Sequence, residues 1–173
     1  MDVAAHPTDG EQIRRSGGRP LSGRIEIRPA AIADCDTVLA RLDPHDATEA
    51  AAMADDPRQA VRQAFEASLI PPKLALVDGH MAALWGLCGH AFPNVGMPWL
   101  LLTTPEIAQI ASYLRVARRE VAAMLMIRSR LENYLTADYA KAIPLLEALG
   151  FHIDAPAPVG PKAVLFRKFW IEV

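Results

Sequence analysis

No stretch of this 173-residue chain approaches the roughly 18 consecutive apolar residues that a membrane-spanning helix needs. The longest candidates, such as Met97 to Leu102, are strand-sized. The N-terminus is polar and has no apolar core of a secretory leader, which predicts synthesis in the cytoplasm. Cysteine is scarce. Cys35 and Cys88 stand alone, without a CxxC pair or ligand-like neighbours, and read as small buried hydrophobes in a reducing compartment. His6, His45, His80, His90 and His152 form no metal-ligand spacing and no Ser/His/Asp set. A formal net charge of −2 gives no global reason to wrap nucleic acid or coat an anionic membrane. No internal repeat is visible.

What is present is material for one core. A length of 173 residues fits a single domain, and 51% hydrophobic residues supply its interior. Residues 1–23 are rich in Gly, Pro, Ser and Arg and lack apolar periodicity. They read as an N-terminal arm outside the domain of residues 24–173: either an end with no role, or a segment that orders on a partner. The expectation adopted is the second, with Arg14, Arg15 and Arg19 making the partner contacts.

From Arg24 the pattern tightens. Ile25 and Ile27 alternate with charged residues in a strand ended by Pro29, and Asp34 is the expected N-cap of a helix through Leu42. A second helical region, broken at Asp55-Asp56-Pro57, runs to about Leu69. Between residues 31 and 66 eight acids face three arginines, a pattern that reads as a solvated acidic face. Strand residues Lys73 to Val77 meet the turn Asp78-Gly79, and Met81 to Cys88 return as a hairpin. Pro98 to Leu102 read as a buried strand. A long helix follows from Thr104 to about Arg130, with Ile107, Ile110, Ala111, Leu114, Ala117, Val121 and Leu125 as its buried stripe. Leu131 to Leu135 read as a strand, Lys141 to Leu149 as a helix stopped by Gly150, Phe151 to Ile153 as a strand start, and residues 163–171 as the last strand. The expected fold class is α/β (α+β), a mixed and mostly antiparallel sheet flanked by helices.

The order strand, two helices, three antiparallel strands, central helix, strand, helix and closing strands resembles the acetyltransferase-like GNAT fold. The run Ala142-Ile143-Pro144-Leu145-Leu146-Glu147-Ala148-Leu149-Gly150-Phe151 resembles that family's late helix, usually A-I-x-x-Y-E-K-L-G-F. Ile27-Arg28-Pro29-Ala30 with Ala33-Asp34 resembles its first strand and helix start. The resemblance covers residues 24–173. Within the family, Gly96-x-Pro98-Trp99-Leu100-Leu101, Gly160-Pro161 and Phe166-Arg167-Lys168-Phe169 resemble a tailed-phage group similar to internal virion protein A.

The resemblance implies an acetyl-CoA site whose requirements this chain departs from. The family cradles the cofactor pyrophosphate on a glycine-rich loop at the start of the central helix, where bare N–H groups and the helix dipole meet the phosphates. The matching stretch, Thr103, Thr104, Pro105 and Glu106, has no glycine; it offers a self-capping threonine, a proline without an N–H and a carboxylate. The family's usual general acid is the tyrosine of the late helix, and that position here is Leu146, which has no proton to give. Tyr134 and Tyr139 are the nearby substitutes, although half-buried aromatics with satisfied hydroxyls is the reading favoured for them. Glu132, His80 and His90 are the candidate bases, with His90 also fitting a loop cap. Arg115, Arg118 and Arg119 would suit a phosphate, a solvated face or an acidic protein surface, and Trp85, Trp99 and Trp170 read as core or partner-contact aromatics.

These readings predict a non-catalytic GNAT-fold protein of a tailed phage, located in the virion or its assembly at the portal, tail or internal core. Its expected partners are other virion or assembly proteins, with no nucleic acid, no metal and no cofactor. The alternative is an acetyl-CoA-dependent N-acetyltransferase with a divergent cofactor site, located in the cytoplasm.

Overall fold

Asp78 and Gly79 take φ of 51° and 81°. Two successive positive φ values make the turn whose twist matches paired strands, so the hairpin forms where the Asp-Gly pair places it. The Asp78 carboxylate also accepts from Arg24 N–H at 3.0 Å, tying the turn to the start of the first strand. In this computed structural model the described residues are 24–42, 46–47, 49, 56–103, 111–140, 142–160 and 163–173. The expected arm of residues 1–23 lies outside them.

The chain runs β1 (Ile25–Pro29), α1 (Ile32–Leu39), α2 (Pro57–Glu66), β2 (Lys73–Val77), β3 (His80–Gly89), β4 (Val95–Leu102), α3 (Ala111–Leu125), β5 (Arg130–Thr136), α4 (Ile143–Ala148), β6 (His152–Ile153), β7 (Ala157–Val159) and β8 (Val164–Glu172). One mixed sheet holds the eight strands in the order β1-β2-β3-β4-β5-β8-β6, with β7 also on β8. Every pairing is antiparallel except β4 with β5. The fold class is the one the sequence predicts, with β7 added.

Side chains alternate between the sheet's faces, and each face of the β2–β3 hairpin has its own core. Leu74 and Leu84 pack with Cys35 and Val38 of α1 and Val61 of α2. Ala75, Ala83, Trp85 and Leu87 point the other way, toward Tyr113 and Met124 of α3 and on to Leu131, Phe151 and Phe169. Both cysteines are buried and free, and burial pushes each thiol above its ordinary pKa, as inert core residues require.

Local chemistry moves several boundaries. Asp34 is not the N-cap of α1. It sits in the first turn, where its carboxylate accepts from Ala31 N–H at 2.8 Å and from both Arg28 terminal nitrogens at 2.8 and 2.9 Å. Asp56 is the N-cap of α2, accepting from Arg58 and Gln59 N–H, with Pro57 at the first helical position. The central helix ends at Leu125 rather than near Arg130, because Arg130 opens β5 and bonds its N–H to Asn94 C=O. Of its expected stripe, Ala117, Val121 and Leu125 pack against the core and Leu114 is half-buried, joined by the buried Tyr113 and Met124; Ile107 and Ile110 lie outside the described residues. No helix among the described residues is long and apolar enough to cross a membrane.

Two outcomes follow. A Cβ at Gly86 would stand 2.6 Å from the Trp99 ring and 2.7 Å from Ser68 Oγ, so Gly86→Ala is expected to cost about 1–3 kcal/mol in urea melting. A change under ~0.5 kcal/mol would show that Trp99 moves freely. The second concerns Asp34, which its Arg28 hydrogen bonds hold ionised below the ordinary carboxylate range, against a smaller opposing effect of burial. A depressed folded pKa gives stability that is complete above the unfolded value and lost as pH falls through the folded one. Asp34→Asn is therefore expected to lose about 1–2 kcal/mol at about pH 7, discounted for the exposure of Arg28. The gap to the unmodified protein should close as acid protonates Asp34, at a pH below the ordinary carboxylate range; a constant gap would place the effect elsewhere.

Candidate functional site

β4 and β5 begin as parallel neighbours and then part. Their register is limited to Val95↔Arg130 and Gly96↔Leu131. Thr103 N–H bonds Ala82 C=O toward β3, whereas Leu102 N–H and Pro98 C=O turn the opposite way. By strand alternation the main chain of Pro98, Leu100 and Leu102 therefore faces β5. Proline has no N–H to offer at the first step of the lost ladder. The Asn133 side chain takes that step instead: its Nδ2 donates to Pro98 C=O at 2.9 Å and its Oδ1 accepts from Tyr134 N–H at 2.9 Å. A side-chain amide is thus inserted where two backbones would have met.

Further along, two carboxylates complete the separation. Asp46 Oδ2 accepts from Leu102 N–H at 2.7 Å, in a buried position. Glu49 Oε1 accepts from the N–H and hydroxyl of Thr136 at 2.5 and 3.1 Å. Residues 46 and 49 lie between α1 and α2 in the chain, and each acid holds one of the two parted strands. Neither residue was singled out by the sequence reading, where they counted only toward an acidic face. The signals were present in the strands: a proline and an asparagine inside β4 and β5, where both are disfavoured unless a ladder is broken.

Between the parted strands lies a cavity of about 410 Å³. Trp99 and Leu101 line it from the α2 side of β4, Leu100 and Leu102 from the α3 side, so it passes through the sheet. The wall also brings together Tyr134, Tyr139 and Leu146, three of the candidate positions read from the sequence. Tyr139 is buried and Tyr134 exposed at its rim. Tyr113 and Glu120 of α3 join them, and neither was anticipated. Burial, with a smaller contribution from Asp46, pushes the Tyr113 hydroxyl well above its ordinary pKa, which makes it a poor proton donor near neutrality. Glu120 accepts from Lys73 Nζ at 2.7 and 2.8 Å and from Trp85 Nε1 at 3.3 Å. Among the described lining residues there is no lysine, arginine or histidine.

The remaining candidates fall elsewhere. Glu132 lies outside the cavity lining, between Lys168 at 2.7 Å and Arg130 at 2.8 Å. Burial pushes its carboxyl up, but the two cations more than offset this and keep it ionised below the usual range, which suits an ion pair rather than a base. His90 Nδ1 accepts from Phe92 N–H at 3.2 Å, a loop cap, and His80 is exposed at the start of β3. Arg118 donates to Ala148 C=O at 3.0 and 3.2 Å and so caps α4 rather than waiting for a phosphate; Arg115 and Arg119 share its helix. Trp85, Trp99 and Trp170 each donate their indole N–H, to Glu120, Ser68 and Asp154. Thr103 donates its hydroxyl to Met81 C=O at 2.6 Å, while Thr104, Pro105, Glu106 and the arginines Arg14, Arg15 and Arg19 lie outside the described residues. No group of three or more His, Cys, Asp or Glu placed to hold a metal occurs among the described residues.

No protein-family model and no curated protein sequence matches the chain. Solved structures do. An N-acetyltransferase from Staphylococcus aureus Mu50 superposes with a TM-score of 0.65 at 17% identity, over 86% of this chain and 98% of that one. Ard1 from Thermoplasma volcanium gives 0.65 at 12% identity, over 86% and 97%. An aminoglycoside acetyltransferase in complex with coenzyme A gives 0.58 at 14% identity, over 86% and 95%. Likeness at this level of identity establishes the fold.

The inserted amide of Asn133 carries a measurable consequence. Asn133→Ala leaves Pro98 C=O and Tyr134 N–H to water and is expected to cost about 1–2 kcal/mol in urea melting. Asn133→Asp keeps the acceptor for Tyr134 but sets a carboxylate oxygen against Pro98 C=O, and should cost at least as much. Equal stability of all three proteins would mean that the strands part for another reason.

Proposed function

Starting from the GNAT fold, we propose that this chain transfers no acetyl group and acts by binding other protein subunits. The observation that carries the reading is the pair of carboxylates on the parted strands: Asp46 on Leu102 N–H and Glu49 on Thr136 N–H. Each bond withdraws one strand donor from any cofactor held through the backbone. An anionic one also needs positive charge, and the described lining offers acids instead. Acetyl-CoA does not fit this donor set. Leu146, at the position of the family's tyrosine, lines the cavity as a hydrocarbon surface.

The resemblance to the tailed-phage group supports, as part of this proposal, a role in a virion or its assembly, at the portal, tail or internal core, with virion proteins as partners and Arg14, Arg15 and Arg19 as contacts. A second reading is favoured by one feature. A cavity of about 410 Å³ is of ligand size, and the likeness to a coenzyme A-bound acetyltransferase supports a divergent acetyl-CoA enzyme.

Thermal melting with acetyl-CoA decides between them. A ligand at about one hundred times its dissociation constant adds about 2.7 kcal/mol, which shifts a melt visibly. The expected result is no shift at millimolar acetyl-CoA and no thiol release against a panel of amines. Turnover of acetyl-CoA by the unmodified protein would overturn the non-catalytic reading, and Leu146→Tyr is expected to create none.

A further inference from the structure

We propose that the outer face of α3, from Arg115 to Met126, docks an acidic amphipathic helix of a partner protein. The inference rests on the reading of the chain as a subunit-binding protein and names the chemistry of one partner.

α3 divides between two environments. Tyr113, Val116, Ala117, Glu120, Val121 and Met124 line the cavity. Arg115, Arg118, Arg119, Ala122, Ala123 and Met126 are exposed, and none of them lines it. Arg115, Arg119, Ala122 and Met126 follow one another at intervals of three and four residues, so they form a single stripe down the helix. Met126 belongs to it because its N–H still bonds Ala122 C=O at 3.2 Å.

The basic end of this stripe lacks counter-charge. Arg28, Arg62, Lys73, Arg130 and Lys168 each pair with a carboxylate. Among the described residues Arg115, Arg118 and Arg119 pair with none, although Arg118 also caps Ala148 C=O. No acid stands three or four residues from any of them on α3, and the helix's one acid, Glu120, is turned inward to Lys73. Arg115 and Arg119 stand four apart, a like-charge spacing that weakens a helix on its own. An external anion would relieve it. The other end of the stripe selects which anion. Ala122 and Ala123 are small enough for a partner backbone to approach closely, and Met126 is 88% exposed. A phosphate or a nucleic-acid backbone would neutralise the arginines and leave that end bare. A helix with acids at one end and apolar residues at the other covers both. From Arg115 to Met126 the stripe runs about 16 Å, which matches about three turns of such a helix.

The probe is a capped, alanine-based helical peptide of about four turns, with glutamates and then leucines at the offsets of Arg115, Arg119, Ala122 and Met126. The comparisons are the same peptide with lysine for glutamate, the same peptide with alanine for leucine, and a DNA duplex. Binding is read from the fluorescence anisotropy of each labelled ligand and from the backbone amide resonances of α3. The Glu/Leu peptide is expected to bind with a Kd below about 1 mM, to shift the Arg119 and Met126 amides, and to weaken as salt is added. Either altered peptide should bind at least about tenfold more weakly. Arg119→Glu should lower affinity by about tenfold without lowering the melting temperature, because it replaces a like-charge pair with Arg115 by an opposite one. Met126→Ala should also weaken binding and leave folding unchanged, since the side chain is exposed. No binding, equal affinity for the three peptides, tighter binding of the duplex, or full binding by Arg119→Glu would overturn the proposal. Should Arg119→Glu unfold, Met126→Ala and the peptide comparisons on the unmodified protein test the same face. Acetyl-CoA added to the same samples separates the two ideas: its turnover sinks the non-catalytic reading, whereas absence of peptide binding without turnover sinks only the docking.

Discussion

The parting of β4 from β5 is the constraint on which the rest of the site depends. Two parallel strands that continued in register would exchange hydrogen bonds along the whole of residues 96–102 and leave no room between them. Pro98 removes the first donor, and the Asn133 amide enters the first gap. Each later step then needs a partner from outside the sheet, because a buried backbone group without one costs about 1–3 kcal/mol. Asp46 and Glu49 supply two of those partners. The cavity is the volume left between them.

The halves on either side of this gap are built conventionally, which is why the element order was legible in the sequence. The Asp78-Gly79 turn, Pro57 after Asp56 and Gly150 after the last helix are local signals whose meaning does not depend on distant residues. Alternation placed β1, the turn placed β2 and β3, and short apolar runs placed β4 and β5 within a few residues for the same reason. Boundaries failed where tertiary contacts decide. Asp34 has the chemistry of an N-cap, but its bidentate pairing with Arg28 places it one turn inside. The central helix was phased on aliphatic residues, whereas the structure buries Tyr113 and turns Glu120 inward, because Lys73 and Trp85 satisfy the carboxylate.

The site itself was half legible. Leu146, Tyr134 and Tyr139 are close in sequence to one another, and motif alignment brought them to one wall. Asp46 and Glu49 act across separations of 56 and 87 residues. No periodicity reports such a contact, and a run of acids reads as a solvated face until the strands it reaches are known. Pro98 and Asn133 were the residues from which the gap was readable in principle, since each is a poor strand former on a strand.

Fold and chemistry separate at this point. The registers and the two cores hold the GNAT architecture, and none of them requires a phosphate loop or a tyrosine on α4. A protein that meets its ligand only part of the time must satisfy its cleft amides in the interval, with water or with its own side chains. Here Leu102 and Thr136 donate to carboxylates of the same chain, one of them buried. Displacing these acids would expose two charges and break bonds of the charge-assisted kind, each worth more than a neutral one. A ligand claiming those amides must first repay that loss.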